Sequence, residues 1–586
     1  MDALTIQEEP IASIELMERA AMALTEAICS RYPHPEQPFI LFAGPGNNGG
    51  DALAVARLMA DRGYRPEVFL FNPKGKLSDD CATNRERLLE EGRVTLHEVN
   101  TQFVPPRLTA ETVVVDGLFG SGLNKPLSGG FAAVVRFINA SPATVISIDM
   151  PSGLMGEDNS FNQPQHIIRA DLTLSLQLPK LAFLLPENET YVGEWQLLDI
   201  GLSKKGLETL QTAYQLSESS YFKGLFPRRN KFAHKGDFGR ALLIAGSEGM
   251  AGAAVLAARA CLRCGVGLLT THVPFCNNFI QQTSVPEAMT DIDAHERFFS
   301  EAVDSDRYRA VAIGPGLGTA RLTEQAVLEQ IGTTLCPMVI DADALNLLAG
   351  HTELLQQLPK GSILTPHPGE LERLVGKCTD GYERLQRARV LAEESKAVIV
   401  LKGAYSAVIA PDGNVWFNPS GNPGMATGGS GDVLTGILLA LLAQSMESLT
   451  AARLGVYLHG VAGDLAAQSV GETSLIAGDL IRFLPEAISS IKYDSIPAGS
   501  DVEAAQLQFI FNIAAVVLAQ VTQHLAEHQL QGVGRDALLR ATIYLFHLIK
   551  AFPRDVKGGT IAMHTVGTGV DVGTSQALHV GLGTQH

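Results

Sequence analysis

The chain has 586 residues, 46% of them hydrophobic and 18% charged, and 62 acidic against 45 basic residues leave it at net −17. That apolar content excludes a largely disordered chain, and the acidic balance argues against a nucleic-acid binder, which needs a basic face. At roughly 100–200 residues per domain the length implies three or more units, or two large ones with an extension.

The N-terminus, MDALTIQEEP, is acidic and has no apolar run, so no signal peptide is expected. Residues 1–215 then alternate short apolar runs with helical patterns. The runs are FILFA (39–43), PEVFLF (66–71), TVVVD (112–116) and TVISID (144–149). Each ends in a Gly, Asn or Asp loop, which predicts βαβ units around a parallel sheet buried on both faces. The polar stretch 202–220 reads as a linker.

FILFA runs into Gly44, Gly46, Asn47, Asn48, Gly49, Gly50 and Asp51, followed by a predicted helix, ALAVARLMADRG. Gly44, Gly46 and Gly49 fit G-x-G-x-x-G in a strand–loop–helix context, where glycines allow close backbone approach to a phosphate. A dinucleotide dehydrogenase would carry Asp or Glu about 20 residues on. The next strand instead ends at Phe71, Asn72, Pro73 and Lys74, which disfavours that class. Asp116 and Asp149 also close strands beside Gly-rich loops. Ligands of open parallel sheets bind beyond such strand ends, so Asp51, Asp116 and Asp149 are expected on one edge.

From about 221 to 493 the alternation restarts with ALLIAG (241–246), AVAIGPG (310–316), MVIDAD (338–343) and AVIVLKG (397–403). Thr427, Gly428, Gly429, Ser430, Gly431 and Asp432 lead directly into the apolar helix VLTGILLALLAQ. Successive glycine amides at a helix start form an anion hole for a transferring phosphoryl group, and Asp432 can accept a hydroxyl proton. No Walker A motif is present.

After about 494 the style changes. KYDSIPAGSD reads as a linker, two apolar helices are expected at 502–529 and 534–551, and the end is rich in Gly and Thr. His524 and His528 would share a helix face, an ordinary surface pair with no further ligand at zinc spacing. The 500–586 extension matches neither preceding unit, and its apolar helices suggest a homo-oligomer. The seven cysteines are odd in number and sparse, as in a reducing compartment. Cys261 and Cys264 fall inside a probable helix and read as core thiols. The longest apolar runs are too short to span a membrane, so a soluble cytoplasmic protein is expected.

The motifs GPGNNGGDA, DGLFGSGL and IDMPSGL, with LMERAA (16–21), ADLTLSLQLPKLAF (170–183) and GEWQLLDIGL (193–202), resemble the NAD(P)H-hydrate epimerase domain over nearly all of 1–215. The resemblance implies a Rossmann-like unit that interconverts the R and S hydrates of NADH and NADPH at C6. It implies that Asn47, Asn48, Gly49, Gly50 and Asp51 hold the hydrate, together with Gly120, Ser121, Gly122, Leu123, Asn124, Lys125 and Pro126. Asp149 would contact the reacting centre, and Asn48, Asp116 and Ser152 would bind potassium. Arg19 and Ala21 stand where the family usually has Asn and Gly, and Ala52 replaces a usual Gly.

The glycine loop before Asp432 resembles those of ribokinase-like kinases. HKGDFGRALLIAGSEGMAGAAVLAARACLRCGVGLLT (234–270), IGPGLG (313–318), IDADALNLL (340–348), LTPHPGELERL (364–374) and VLKGAYSAV (400–408) narrow this. Together they resemble the ADP/ATP-dependent NAD(P)H-hydrate dehydratase over 221–493. The resemblance implies a three-layer αβα fold that phosphorylates the 6-hydroxyl of the S hydrate and then eliminates phosphate. Ala253, Gly316, His367 and Asp432 match positions that hold the hydrate. Lys402, Gly403, Ala404, Tyr405, Ser406 and Gly431 match the adenine-nucleotide site, with Asp432 as base and Mg2+ accompanying ADP. Two readings stay open for Lys402, a ligand or a snorkelling edge lysine, and two for His367, a ligand or a histidine satisfied in its own turn.

Overall fold

A computed structural model describes residues 2–209, 212–226 and 229–492. The helices expected at 502–529 and 534–551, with His524 and His528, lie outside the described residues. The chain divides into two units, 1–492 and 493–586, and the described residues belong to the first. Within the first unit the predicted α/β alternation becomes two lobes, each built around its own sheet.

The first sheet holds β1 (Phe39–Ala43), β2 (Glu67–Phe71), β3 (Thr95–Val99), β4 (Val113–Gly117), β5 (Thr144–Ile148), β6 (Leu172–Leu176) and β7 (Glu194–Leu198). Their order is β3-β2-β1-β4-β5-β6-β7, and every pairing is parallel. The central strands β1 and β4 are buried along their whole length, which is why they read as continuous apolar runs. Helices Ser13–Arg31, Asn47–Asp61 and Asp79–Glu91 cover one face, and helix Gly129–Asn139 covers the other.

The second sheet contains β8 (Tyr214–Leu216), β9 (Arg240–Ile244), β10 (Leu268–Val273), β11 (Met289–Ile292), β12 (Ala310–Ile313), β13 (Met338–Ile340), β14 (Ile363–Leu364), β15 (Val398–Leu401), β16 (Ala407–Ile409) and β17 (Val415–Phe417). The order is β11-β10-β9-β12-β13-β14-β15-β16-β17-β8. Only β15–β16 and β16–β17 pair antiparallel. The apolar helix of the glycine loop, Ser430–Ala443, packs on helix Ala251–Arg263 against one face. Helices Arg321–Thr333 and Gly381–Ser395 lie on the other.

The expectation that 202–220 is a linker needs correction. Tyr214, Gln215 and Leu216 pair in parallel with Val415, Trp416 and Phe417 and complete the second sheet. Three residues beside an open edge are enough for a strand, and so short a run is invisible as periodicity. Conversely, Leu181 and Leu185 of the first lobe's sequence join the second lobe's core. Glu187 accepts hydrogen bonds from the amides of Gly381 (3.0 Å) and Tyr382 (3.1 Å), at the start of a second-lobe helix. The lobes are therefore interleaved. Cys261 and Cys264 are buried free thiols; burial pushes Cys264 up to about 12, as suits core residues. No described helix is long and apolar enough to cross a membrane.

Candidate functional sites at the two sheet edges

In the first lobe the loops after β1, β4 and β5 meet. The helix expected to begin after Asp51 begins at Asn47, so Asn47–Asp51 form its first turn, with Asn47 exposed and Gly49, Gly50 and Asp51 buried. Gly44 and Gly49 are dictated by packing of loop on loop. A Cβ on Gly44 would sit 1.9 Å from the Leu118 carbonyl, and one on Gly49 would sit 1.8 Å from the Gly44 carbonyl. Ala52 is buried with its methyl toward Gly117. Arg19 turns to the surface and pairs with Glu9 at 2.7 Å. Neither departure from the family pattern obstructs the loops.

Asp116 is fully buried. It accepts from Ser147 Oγ (2.8 Å), Ser152 Oγ (2.5 Å), Ser152 N (2.8 Å) and Leu118 N (3.3 Å). Burial pushes its carboxyl up against those hydrogen bonds. Ser152 Oγ also accepts from Phe119 N at 2.9 Å. Across the same loop, a Cβ on Gly120 would lie 3.0 Å from Asn48 Oδ1 and 3.2 Å from Asp149 Oδ2. The amide of Asn48 and the carboxylate of Asp149 therefore flank one point. Asn48 Nδ2 is buried with no hydrogen-bond partner, a donor directed at something the protein does not supply.

Asp149 adopts φ +64°, a left-handed conformation unusual for a residue with a side chain. Its carboxylate accepts from Ser121 N (3.2 Å), Leu176 N (3.3 Å) and Lys180 Nζ. Lys180 also donates to Ser175 Oγ at 2.8 Å. Lys180 escaped the sequence reading, although it sits in the quoted segment ADLTLSLQLPKLAF. Gly120–Pro126 form the rim of this edge, with Ser121, Gly122, Asn124 and Lys125 exposed. Asp51 is buried in the first turn of helix Asn47–Asp61, and its charge adds to burial in raising the Cys81 thiol.

In the second lobe, Gly429 takes φ +90° and starts the helix Ser430–Ala443. His459 Nε2 contacts Ser430 O at 2.9 Å and Ser430 Oγ at 3.3 Å. Burial lowers this imidazole to about 4, so it is neutral and braces the loop. Asp432 lies in the first turn. Burial first, then the charges of Asp341 and Asp343, raise its carboxyl to about 7 against the pull of Lys402. It is thus poised near neutrality, as a general base needs.

Lys402 forms the center of a charge network. Its ammonium lies 2.8 Å from Asp341 Oδ1 and 3.7 Å from Glu370 Oε2. Asp341 Oδ2 accepts from Thr435 Oγ1 at 2.6 Å. Burial alone would depress the ammonium and raise Asp341; the pairing reverses both, raising Lys402 and lowering Asp341. A Cβ on Gly431 would stand 3.6 Å from Lys402 Nζ, so the cation sits beneath the glycine loop. Lys402 is thus an internal counter-ion to Asp341 beside the Gly431 loop. Ala342, immediately after Asp341, has φ +49°.

Ala253 and Gly316 meet, since a Cβ on Gly316 would touch that of Ala253 at 3.0 Å. His367 caps helix Pro368–Val375: its Nδ1 accepts from Gly369 N at 3.0 Å and Glu370 N at 3.4 Å. The ring is half exposed and satisfied in its own turn. Gly403 and Ala404 are exposed, and Ser406 Oγ closes the loop onto Gly403 O at 3.1 Å. Asp341, Glu370 and His459 were not singled out from sequence. Asp341 was findable by the rule used for Asp116 and Asp149, a carboxylate just beyond an apolar strand.

The lobes define a two-site α/β enzyme, a Rossmann-like unit joined to a ribokinase-like one. A family model described as YjeF-related protein N-terminus matches residues 13–182, and one described as NAD(P)H-hydrate dehydratase matches 241–486. The bifunctional NAD(P)H-hydrate repair enzyme Nnr of Moorella thermoacetica is 37% identical over 510 residues, covering 84% of this chain and 95% of the relative. That of Escherichia coli is 34% identical over 480 residues, covering 81% and 89%. An ADP/ATP-dependent NAD(P)H-hydrate dehydratase from Bacillus subtilis, co-crystallized with ATP/Mg2+, is 33% identical with a TM-score of 0.43, covering 47% of this chain and 99% of its own. The chain belongs to the family of bifunctional NAD(P)H-hydrate repair enzymes.

Proposed function

We propose that the first lobe epimerises the R and S hydrates of NADH and NADPH, and that the second dehydrates the S form at the expense of ADP, releasing AMP and phosphate. The observation that carries this reading is the presence, in one chain, of two separate carboxylates, one just beyond a strand and one in the first turn of a helix behind a glycine loop. One is Asp149 with Lys180; the other is Asp432 beside an anion hole.

At the first edge, Asp149 moves the proton at the C6 hydroxyl. The C6–O bond breaks as the oxygen takes a proton, and water re-adding from the opposite face returns it. Lys180 fixes the carboxylate, and the unpartnered Asn48 amide supplies a donor. Asn48, Asp116 and Ser152 would hold K+. Their oxygens suit a hard cation, and a positive charge there offsets the burial of Asp116. Asn47–Asp51 and Gly120–Pro126 bind the rest of the hydrate.

At the second edge, Asp432 takes the proton of the 6-hydroxyl as that oxygen attacks the β-phosphorus of ADP and AMP departs. Elimination then breaks the C6–O bond, C5 loses a proton, and phosphate and NADH or NADPH leave. Gly431 and the neighbouring amides cradle the transferring group, Lys402–Ser406 border the nucleotide, and Ala253, Gly316 and His367 line the hydrate side. Mg2+ would accompany ADP and neutralise phosphoryl charge.

Seven cysteines without a disulfide support a reducing cytoplasmic setting. Exposed Phe275, Phe279 and Met289, on helix Phe275–Ser284 and the adjoining edge strand β11, support a homo-oligomer. The activity is tested by mixing both hydrate epimers with ADP and Mg2+ and following absorbance at 340 nm. Full recovery is expected. Half recovery would refute the epimerase, and none would refute the dehydratase.

A further inference from the structure

Trp195 belongs by sequence to the epimerase lobe, on β7. Its indole nevertheless reaches the other lobe: Nε1 donates to Tyr405 Oη at 3.0 Å, with ring centroids 6.2 Å apart. Phe183 also packs against the same indole, centroids 5.9 Å apart. Tyr405 lies in the 402–406 loop. The two ends of that loop are anchored within the second lobe: Lys402 N donates to Pro366 O at 3.0 Å and its ammonium pairs with Asp341 at 2.8 Å, while Ser406 O accepts from Asn418 N at 2.9 Å and Ser406 Oγ closes on Gly403. Gly403 and Ala404 between them are exposed. Between those ends stands the Tyr405 side chain, whose hydroxyl is held from outside the lobe.

We propose that Trp195 is a positioning residue for nucleotide binding, so that the epimerase lobe completes the dehydratase's ADP site. This rests on the reading of 402–406 as the nucleotide loop. Trp195 orients Tyr405, and Tyr405 sets the exposed stretch Gly403–Ala404 at the height where ADP meets it. The indole touches no reacting atom, so its loss weakens ADP binding and leaves the chemical step alone. The lobe contact at Glu187 and Gly381 keeps the lobes joined when the indole is removed.

The test uses the full chain with the S hydrate as substrate. Trp195→Phe keeps an aromatic ring and deletes the donor. The KM for ADP should rise about threefold to tenfold, the effect of one net hydrogen bond, while kcat stays within about twofold and epimerisation is unchanged. Tyr405→Phe should give the same rise, and the double variant no further rise, because one interaction is being deleted twice. An unchanged KM, or additive effects, overturns the proposal. A second measurement does not depend on that variant folding. The chain has two tryptophans, so Trp416→Phe leaves Trp195 alone, and ADP with Mg2+ should shift its emission with the Kd found by calorimetry. Calorimetric binding with silent emission refutes the role of Trp195 only. No binding by the unsubstituted chain refutes the nucleotide reading and this proposal with it.

Discussion

Asp432→Asn separates the catalytic from the stabilising consequences of one buried carboxyl. In the folded chain burial and the charges of Asp341 and Asp343 raise Asp432 from 3.8 to about 7. Unfolded, the group releases its proton near 3.8. Between those values the folded state holds the proton that the unfolded state has lost, so stability falls as pH rises through this window and levels off above about 7. From pH 5 to pH 8 the folded chain crosses about two units of that window. At about 1.4 kcal/mol per unit this amounts to a loss of about 2–3 kcal/mol. Asparagine cannot ionise and keeps that stability. Urea denaturation at pH 5 and pH 8 should therefore show the variant gaining about 2–3 kcal/mol on the parent between the two pH values. Its dehydration rate should fall about 10²- to 10⁴-fold with the loss of the general base. A variant with the parent's pH dependence of stability, or with undiminished dehydration, would refute the assignment.

Three further outcomes follow from the geometry. Lys180→Met removes the charged donor to Asp149 and should slow epimerisation about 10- to 100-fold while the S hydrate is still consumed; half recovery at 340 nm from mixed epimers checks it, and full-speed recovery contradicts it. Lys402→Met strands the buried carboxylate of Asp341 and should cost about 3–5 kcal/mol, read as a lowered denaturation midpoint at neutral pH. Gly44→Ala drives a methyl into the Leu118 carbonyl and should cost about 1–3 kcal/mol; an unchanged melting temperature would show that the β1 and β4 loops do not pack as described.

Much was legible in the sequence because its cause is local. Fully buried parallel strands must be apolar on both faces, so FILFA and TVVVD announced themselves. Glycines forced by backbone contact at Gly44 and Gly49, and a helix start at Gly429, leave a fixed pattern. That the carboxylates would stand at strand ends also followed, since Asp116 and Asp149 each close an apolar run.

What only the tertiary structure decided depends on partners distant in sequence. Asp51 follows the same kind of Gly-rich loop, yet it is buried inside a helix where its charge acts on Cys81. Lys180 finds Asp149 because a turn after β6 folds back on β5. Lys402 becomes a counter-ion because β13 and β15 flank β14, bringing Asp341 within 2.8 Å. The supposed linker became β8, and Trp195 met Tyr405 across 210 positions of chain. Composition and periodicity report which faces are buried. Only the fold decides which side chains share a face, because strand order and lobe docking are set by the sum of many weak contacts.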